Sequence, residues 1–487
     1  MKSINILTGL ALLCLAGTAS AQNQVDALRY SQLGLGGTAR VQGIGGAQAA
    51  LGADAGNLAG NPAGLGMFRR SEFTFSPGVH FNNTTSQLEG NESVDQRNNL
   101  NVSSLGVVFS NRKSDGTEGN WRGGAFGIGF TRQNDFQNKF NYQRGTEGFT
   151  IAESIADDAS AYGLSTSGNL ESLEDIAYET YLIDYFQDED RYYETPRSGI
   201  VRQSEDVISR GGQNQLDFSY GASYRDRFYL GAGIGIGTIR YNQERIFRES
   251  ETDPSTAFES LTLRDEFTTT GTGINAKIGF IYRPSDFVRI GANIQTPTYY
   301  AMHDSYYTAL QTTIASSEGN THSAETDPGE YDYSLTTPLR ATAGVAILAG
   351  KYGFLTGDVE YVDYSKARLA DNESSSEFSG VNNTISTEYK SAVNVKVGAE
   401  GRLDILRVRA GVALFGDPYQ NTNYDRQRTY ITGGVGIKQQ NYFVDLTLVN
   451  SKYNSVYSPY TIADQSQPVV TTKNRDNNVM LTLGVNF

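Results

Sequence analysis

The strongest constraint on this chain is a two-residue alternation of side chains, repeated many times, whose connections themselves alternate in length. At the C-terminus Val479, Leu481, Leu483, Val485 and Phe487 alternate with Met480, Thr482, Gly484 and Asn486. Val393, Val395, Val397 and Ala399 alternate with Asn394, Lys396, Gly398 and Glu400. Val408, Ala410, Val412 and Leu414 do the same, as do Ile274, Ala276, Ile278 and Phe280. Successive strand residues point to opposite faces, so each run has one apolar face and one polar or small face. A soluble sandwich also alternates, so the period alone leaves the class open. The connections decide it. Strands are expected over 72–88, 98–110, 121–144, 213–224, 228–248, 260–282, 287–310, 330–348, 352–366, 388–402, 405–415, 427–437, 442–455 and 477–487, fourteen in all. One set of connections is mostly short: 225–227, 283–286, 349–351, 403–404 and 438–441, with a longer one at 111–120. The other set is mostly longer and polar: 89–97, 145–212, 249–259, 311–329, 367–387, 416–426 and 456–476. Short turns at one end and long loops at the other are the plan of an outer-membrane barrel. Aromatics flank the short turns, at Tyr224, Phe228, Tyr229, Tyr282, Phe287, Tyr352, Tyr442 and Phe443, where an interfacial girdle belongs. The expected fold is all-β: a 14-stranded antiparallel transmembrane β-barrel, with no exposed edge strand.

The N-terminus and the composition fit an exported protein. Lys2, the apolar run from Ile4 to Gly17 and Ala19-Ser20-Ala21 form a signal peptide, residues 1–21, cut after Ala21. The only cysteine, Cys14, leaves with it. With three histidines as well, a metal site of Cys and His is nearly excluded, and no cofactor is expected. The net charge of −14 makes the chain a poor partner for nucleic acid. The C-terminal strand ending in Phe487 is the expected contact for the barrel-assembly machinery, and membrane lipids are the expected surroundings of the wall.

Residues 22–71 do not alternate. Thr38 to Gly52 is small and Gly-rich, and Asn57 to Gly66 reads NLAGNPAGLG. A ring of fourteen strands leaves a lumen to fill, and these residues are the expected N-terminal plug, with 72–487 as the barrel. Asn61-Pro62-Ala63-Gly64-Leu65, placed before such a barrel, resembles the hatch of the long-chain fatty-acid transporter family (the FadL/TodX type). Gln295 to Tyr299, Asp358 to Ser365, Val397 to Glu400 and Arg407 to Gly411 resemble that family too. The resemblance implies a barrel with an N-terminal hatch and diffusive uptake of a hydrophobic small molecule, released sideways into the bilayer. The long 145–212 segment departs from the family, so ligand identity is not carried over.

Three groups of residues are candidates for the site. Segment 145–212 holds 15 acidic and 4 basic residues. Ser172 and Asp175 have capping-box spacing, and Leu173, Ile176, Ala177, Tyr181 and Ile183 share a rough face that Phe186 extends. Leu173, Ile176, Tyr181, Ile183 and Phe186 are the expected substrate-binding residues, with packing on the barrel rim as the alternative. Alternation turns Lys277, Arg340, Asp358, Glu360, Lys396, Glu400, Arg407, Arg409 and Asp445 inward. Arg340, Asp358, Lys396, Glu400 and Arg409 form the expected lumen charge network, which receives a ligand carboxylate or anchors the plug. For the hatch, Asn61 is expected to hydrogen-bond the wall, and Pro62 and Gly64 to shape the turn. The exit is expected near the plug and the third strand, which carries Gly123, Gly124, Gly127 and Gly129. The alternating glycines 231–237 line a strand rather than a phosphate loop, and His80 has no assignable catalytic partner, so an enzyme is not expected. A secretion-system or protein-interaction barrel of the same fold, and after it a general porin, are the rival functions.

Overall fold

The computed structural model describes residues 23–113, 119–146, 150–167, 169–196, 200–253, 255–314, 320–371, 377–460 and 467–487. The expected signal peptide lies outside them. The wall consists of β1 (Glu72–Leu88), β2 (Asn91–Arg112), β3 (Trp121–Asp135, then Asn138–Thr146), β4 (Val201–Tyr224), β5 (Phe228–Glu251) and β6 (Phe258–Tyr282). It continues through β7 (Val288–Gln295, then Tyr299–Ile314), β8 (Thr321–Glu325, Gly329–Thr336 and Arg340–Leu348) and β9 (Gly353–Asp363, then Arg368–Ala370). It ends with β10 (Ser391–Leu403), β11 (Leu406–Phe415), β12 (Arg428–Lys438), β13 (Tyr442–Tyr457) and β14 (Val470–Asn486). Neighbours in sequence pair antiparallel, and β1 pairs with β14 from Glu72↔Asn486 to Gln87↔Thr471, so the 14-strand ring is closed. Ser71 and Phe487 exchange backbone hydrogen bonds of 3.2 and 2.9 Å where the two ends of the wall meet.

The expected fourteen strands are therefore present, but several run further toward the long loops than alternation shows. β1 and β2 meet in the two-residue turn Glu89-Gly90, both with positive φ, not in a loop over 89–97. β4 begins at Val201, so the 145–212 connection shortens by both ends. These extensions stand clear of the bilayer, so their outward face is mostly polar, and inward they mix polar residues with buried Val201, Val207, Phe258 and Ile314, which removes the regular apolar signal while backbone pairing continues. Proline breaks two strands at one level: Pro297 interrupts β7 and Pro338 interrupts β8, each lacking the N–H a ladder needs. Thr298 and Thr337 close the break, the N–H of Thr298 donating to Thr337 Oγ1 at 2.9 Å.

The outward face carries an apolar belt. Ile274, Ile278 and Phe280 on β6, and Val393, Val395 and Val397 on β10, are exposed, while Asn275, Lys277 and Asn394 on the same strands are buried inward. No described helix is long and apolar enough to cross a membrane. The belt on the strands is the face that meets the hydrocarbon. Tyr282, Phe287, Tyr352, Tyr442 and Phe487 stand exposed near the short-turn end as the girdle. Tyr229 and Phe443, also expected there, point inward and are buried, because each is one residue out of phase with an outward neighbour.

Residues 23–71 fill the ring. They form α1 (Gln24–Ser31), α2 (Ala39–Gly43) and two short 3₁₀ turns, Ala55–Leu58 and Pro62–Met67. Inward strand hydroxyls hold their backbone. Thr447 donates to the Ala39 carbonyl at 2.7 Å, Thr432 to Gly43 at 3.0 Å and Ser219 to Leu58 at 3.1 Å.

Candidate functional site

The hatch turn is built by its own sequence. Asn61 caps it, its Oδ1 accepting the Ala63 N–H at 3.1 Å, and Pro62 occupies the first position, where a missing N–H costs nothing. The Asn61 amide nitrogen then donates to the carbonyls of Ala49, Phe280 and Ala292 at 2.7, 3.2 and 3.4 Å. One side chain thus ties two plug segments to β6 and β7. Ala63, Gly64 and Leu65 are buried. The turn reaches the wall because Gly231 of β5 faces it, and a Cβ there would overlap the Pro62 and Ala63 backbone. Gly411 of β11 does the same for Ile44 and Gly45.

The inward charges gather into two clusters against the plug. Glu360 accepts from Arg340 at 3.2 Å and Lys396 at 3.5 Å, and Arg340 also donates to the Ser31 carbonyl. Asp358 Oδ2 caps the plug backbone, taking the N–H groups of Gln48 and Ala49 at 2.7 and 2.8 Å. Glu400 takes Arg409 and Arg402 at 2.8 Å and Arg40 at 3.2 Å, and Arg409 reaches Asp445 at 2.6 Å. Arg40 and Asp54 of the plug, and the buried Lys277–Asp217 pair at 2.8 Å, complete these networks. Neither Arg40 nor Asp217 stands out in the sequence, since a lone charge in a glycine-rich segment or on a strand has no periodic signature.

Above the hatch, α1 fills a chamber lined with aromatic residues. Tyr30 packs edge-on to Phe136 at 5.9 Å and Tyr241 at 6.2 Å, and the Arg29 guanidinium lies 4.3 Å over Tyr241. Tyr300, Tyr333 and Tyr389 surround the same helix, Tyr389 donating to the Gln24 carbonyl at 3.0 Å.

The long connection forms a cap over the barrel mouth. It contains α3 (Ile151–Tyr162), α4 (Leu173–Glu179) and a hairpin of Ile183–Phe186 with Arg191–Glu194. α4 has the expected reciprocal box between Ser172 and Asp175. The helix stops at Thr180, however, and Tyr181 has φ 59°, so the expected continuous face is broken there. Ile176 and Ile183 are fully buried, Leu173 packs beside them, and Tyr181 and Phe186 point to solvent. α3 was missed by sequence reasoning although Thr150 accepts the Glu153 N–H at 3.1 Å and Ile151, Ile155 and Ala159 have helical spacing. These helices share one apolar cluster with Phe247, Phe258, Leu261, Leu263, Leu310 and Ile314 of the strand extensions. On α3, partial burial first, and then Glu174 and Asp157, push the Asp158 carboxyl up to about 6.

The wall parts between β2 and β3. β2 and β3 pair from Arg112↔Gly123 up to Ser104↔Thr131. Beyond Thr131 the chain leaves β2, and Asn138–Thr146 pairs with β4 alone. That segment lies over the inward side of β1 and β2, where Asn138 accepts from Thr84 at 2.9 Å and Asn141 donates to Asp95 at 2.6 Å. The glycines of β3 lie below the parting: Gly127 and Gly129 face the Leu58 side chain of the plug instead. A cavity of about 100 Å³ reaches the parting, lined by Leu35, Asn101, Ser103, Gln133, Asp135 and Tyr453 among others. A second, of about 120 Å³, lies between plug and wall beside Arg340, Asp358 and Lys396. His80 lies at the first cavity, 3.8 Å from both Asp135 and Asp476.

No family model matches the sequence, and no curated protein matches it. Solved structures do match. A Pseudomonas aeruginosa FadL homologue is 12% identical, with a TM-score of 0.57 over 93% of this chain and 99% of that one. The P. putida toluene transporter TodX is 12% identical at a TM-score of 0.54, with the same coverage. The Ralstonia pickettii toluene transporter TbuX is 15% identical at 0.51, again over 93% and 99%. At these identities the likeness establishes the fold: this chain is built on the same barrel as the FadL-type transporters.

Proposed function

We propose that this protein is an outer-membrane channel for passive uptake of hydrophobic small molecules, long-chain fatty acids or hydrocarbons, through a plugged barrel with sideways release. The observation that carries the reading is the parting of β2 from β3 above Thr131, with a cavity behind it. An unpaired stretch of wall at membrane depth is tolerated only where it lines a cavity, and a hydrophobe leaving there enters lipid without crossing water. The likeness to solved hydrocarbon transporters supports the same function. The cap supplies the apolar outer layer: Leu173, Ile176 and Ile183 bind the ligand once the cluster opens, and Tyr181 and Phe186 meet it first. The lumen charges hold the plug in register. No step of this path makes or breaks a covalent bond, so the protein acts as a channel and not as an enzyme. Phe487, exposed at the short-turn end, is the contact for the assembly machinery.

One observation favours a second reading. Both cavities have walls of mixed polar and apolar character, with no continuous apolar lining, and the aromatic chamber is occupied by α1. A barrel that stays in this state is a protein-docking platform, so transport requires the plug to move. Ser103→Trp separates the two readings. Ser103 is 3% exposed and lines the cavity at the parting, so an indole there fills the exit. Uptake of a labelled hydrophobe by cells is expected to fall about tenfold or more, a barrier change of about 1.4 kcal/mol or above, while the heat-modifiable folded band is kept. Unchanged uptake removes the exit from this place.

A further inference from the structure

The outward face of β13 and β14 changes character abruptly. Tyr442, Val444, Leu446 and Leu448 on β13 stand beside Val479, Leu483 and Val485 on β14, all exposed to the bilayer. One row higher Asn450 is paired with Asn477, their side chains hydrogen-bonded at 2.8 Å. In the next row Lys452 and Arg475 are directly opposite one another. Lys473 follows on the same face, opposite Asn454. All three cations are exposed.

Among the described residues, their partners across the ladder supply no counter-charge. Arg475 is opposite Asn83 on β1, Lys473 is opposite Thr85, and Lys452 is opposite Thr429 on β12. Gln96 lies beyond Asn83 on β2. Asp476, adjacent in sequence, points inward and accepts from Asn82 at 2.7 Å and Ser451 at 3.2 Å. On β5 and β6, by contrast, two outward cations are matched: Arg248 meets Asp206 at 2.8 Å, and Arg264 meets Glu244 at 2.9 Å and Glu266 at 2.6 Å. Like charges directly opposite on a sheet destabilise it. Among the described residues these three cations face no acid across the ladder, and on a chain of net charge −14 they are therefore arranged for an anion from outside the protein.

We propose that Lys452, Lys473 and Arg475 form a binding site for the phosphate of a membrane lipid in the leaflet on the long-loop side. Lys452 lies four residues above Leu448, about 13 Å along the strand, which puts the charges at headgroup level. The acyl chains then lie down the rows of Leu448, Val479 and Leu446. Arg475 supplies the two-pronged donor a phosphate takes, and the two lysines supply point charges. The continuity of the patch with the apolar belt favours a lipid over a free ion. The inference is independent of what passes through the lumen and needs only the membrane orientation.

The test compares the full barrel in zwitterionic nanodiscs doped with a bis-phosphorylated lipid A or with the same lipid dephosphorylated. The phosphorylated lipid is expected to raise the unfolding temperature, and the dephosphorylated one to leave it unchanged. The Lys452→Gln/Lys473→Gln/Arg475→Gln variant is expected to lose that rise. In the dephosphorylated lipid it should be at least as stable as the parent, because repulsion has been removed, so loss of the rise is not misfolding. Equal rises in parent and variant overturn the site. An equal rise with inorganic phosphate alone also overturns it, assigning the patch to any anion.

Discussion

Asn61 joins the plug to the wall with one amide, and its three acceptors come from three separate stretches of chain. The group is buried, so its loss leaves carbonyls without a donor and without water. Asn61→Ala is expected to weaken plug docking by about 1–3 kcal/mol, read as faster hydrogen exchange across residues 39–67 at a lower urea concentration. Asn61→Asp is expected to do more damage, since a carboxylate offers no donor to three carbonyl oxygens. Unchanged exchange in both variants removes Asn61 as the anchor. This residue was legible in the sequence because an Asn-Pro pair beside small residues states a capped turn. The expected binding residues were less legible. Ile176 and Ile183 were read as one helical face with Tyr181, but the chain turns at Tyr181 and a local positive φ leaves no periodic trace.

At the scale of elements, the cap is held by α3 and α4 packing over the strand extensions, and its acidic residues sit close together. Asp158 has its carboxyl raised to about 6 from an ordinary 3.8, by partial burial and then by Glu174 and Asp157. A folded-state value above the unfolded one means that the folded cap binds the proton more tightly. Cap stability from this group is therefore present at low pH and is lost as pH rises from about 4 to about 6. Hydrogen exchange in α3 and α4 is expected to speed up relative to the barrel strands when pH is raised from 4 to 6, after correction for intrinsic exchange, and Asp158→Asn is expected to flatten the change. Identical pH dependence in the variant contradicts the assignment. α4 was legible through Ser172 and Asp175. α3 carries a similar signal at Thr150 and Glu153, upstream of the stretch from Ser172 that reads as helical in the sequence. The strand extensions beyond the bilayer were illegible for a physical reason: their outward face meets water rather than lipid, their inward face mixes polar residues with those that carry the cap, and their pairing is backbone to backbone.

For the whole molecule, the closed ring was legible because alternation and unequal connections constrain each other: short turns and long loops must take opposite ends. The plug was legible as the one compact stretch that does not alternate. The parting of β2 and β3 was not, since it depends on where register is abandoned, and the glycines of the third strand serve another purpose. Gly127 and Gly129 make room for Leu58, whereas the ladder ends above Thr131. In the proposed function that opening is the exit for a hydrophobe. Ser103 and Gln133 line the cavity there from β2 and β3, and the expected mature chain has no cysteine of its own. A Ser103→Cys/Gln133→Cys barrel, reconstituted in lipid vesicles and bridged with a bis-methanethiosulfonate linker, measures the claim directly. Transfer of a fluorescent hydrophobe from the cap side into the bilayer is expected to stop on bridging and to return when reductant removes the linker. Transfer at the same rate in the bridged and released states contradicts sideways release at this place.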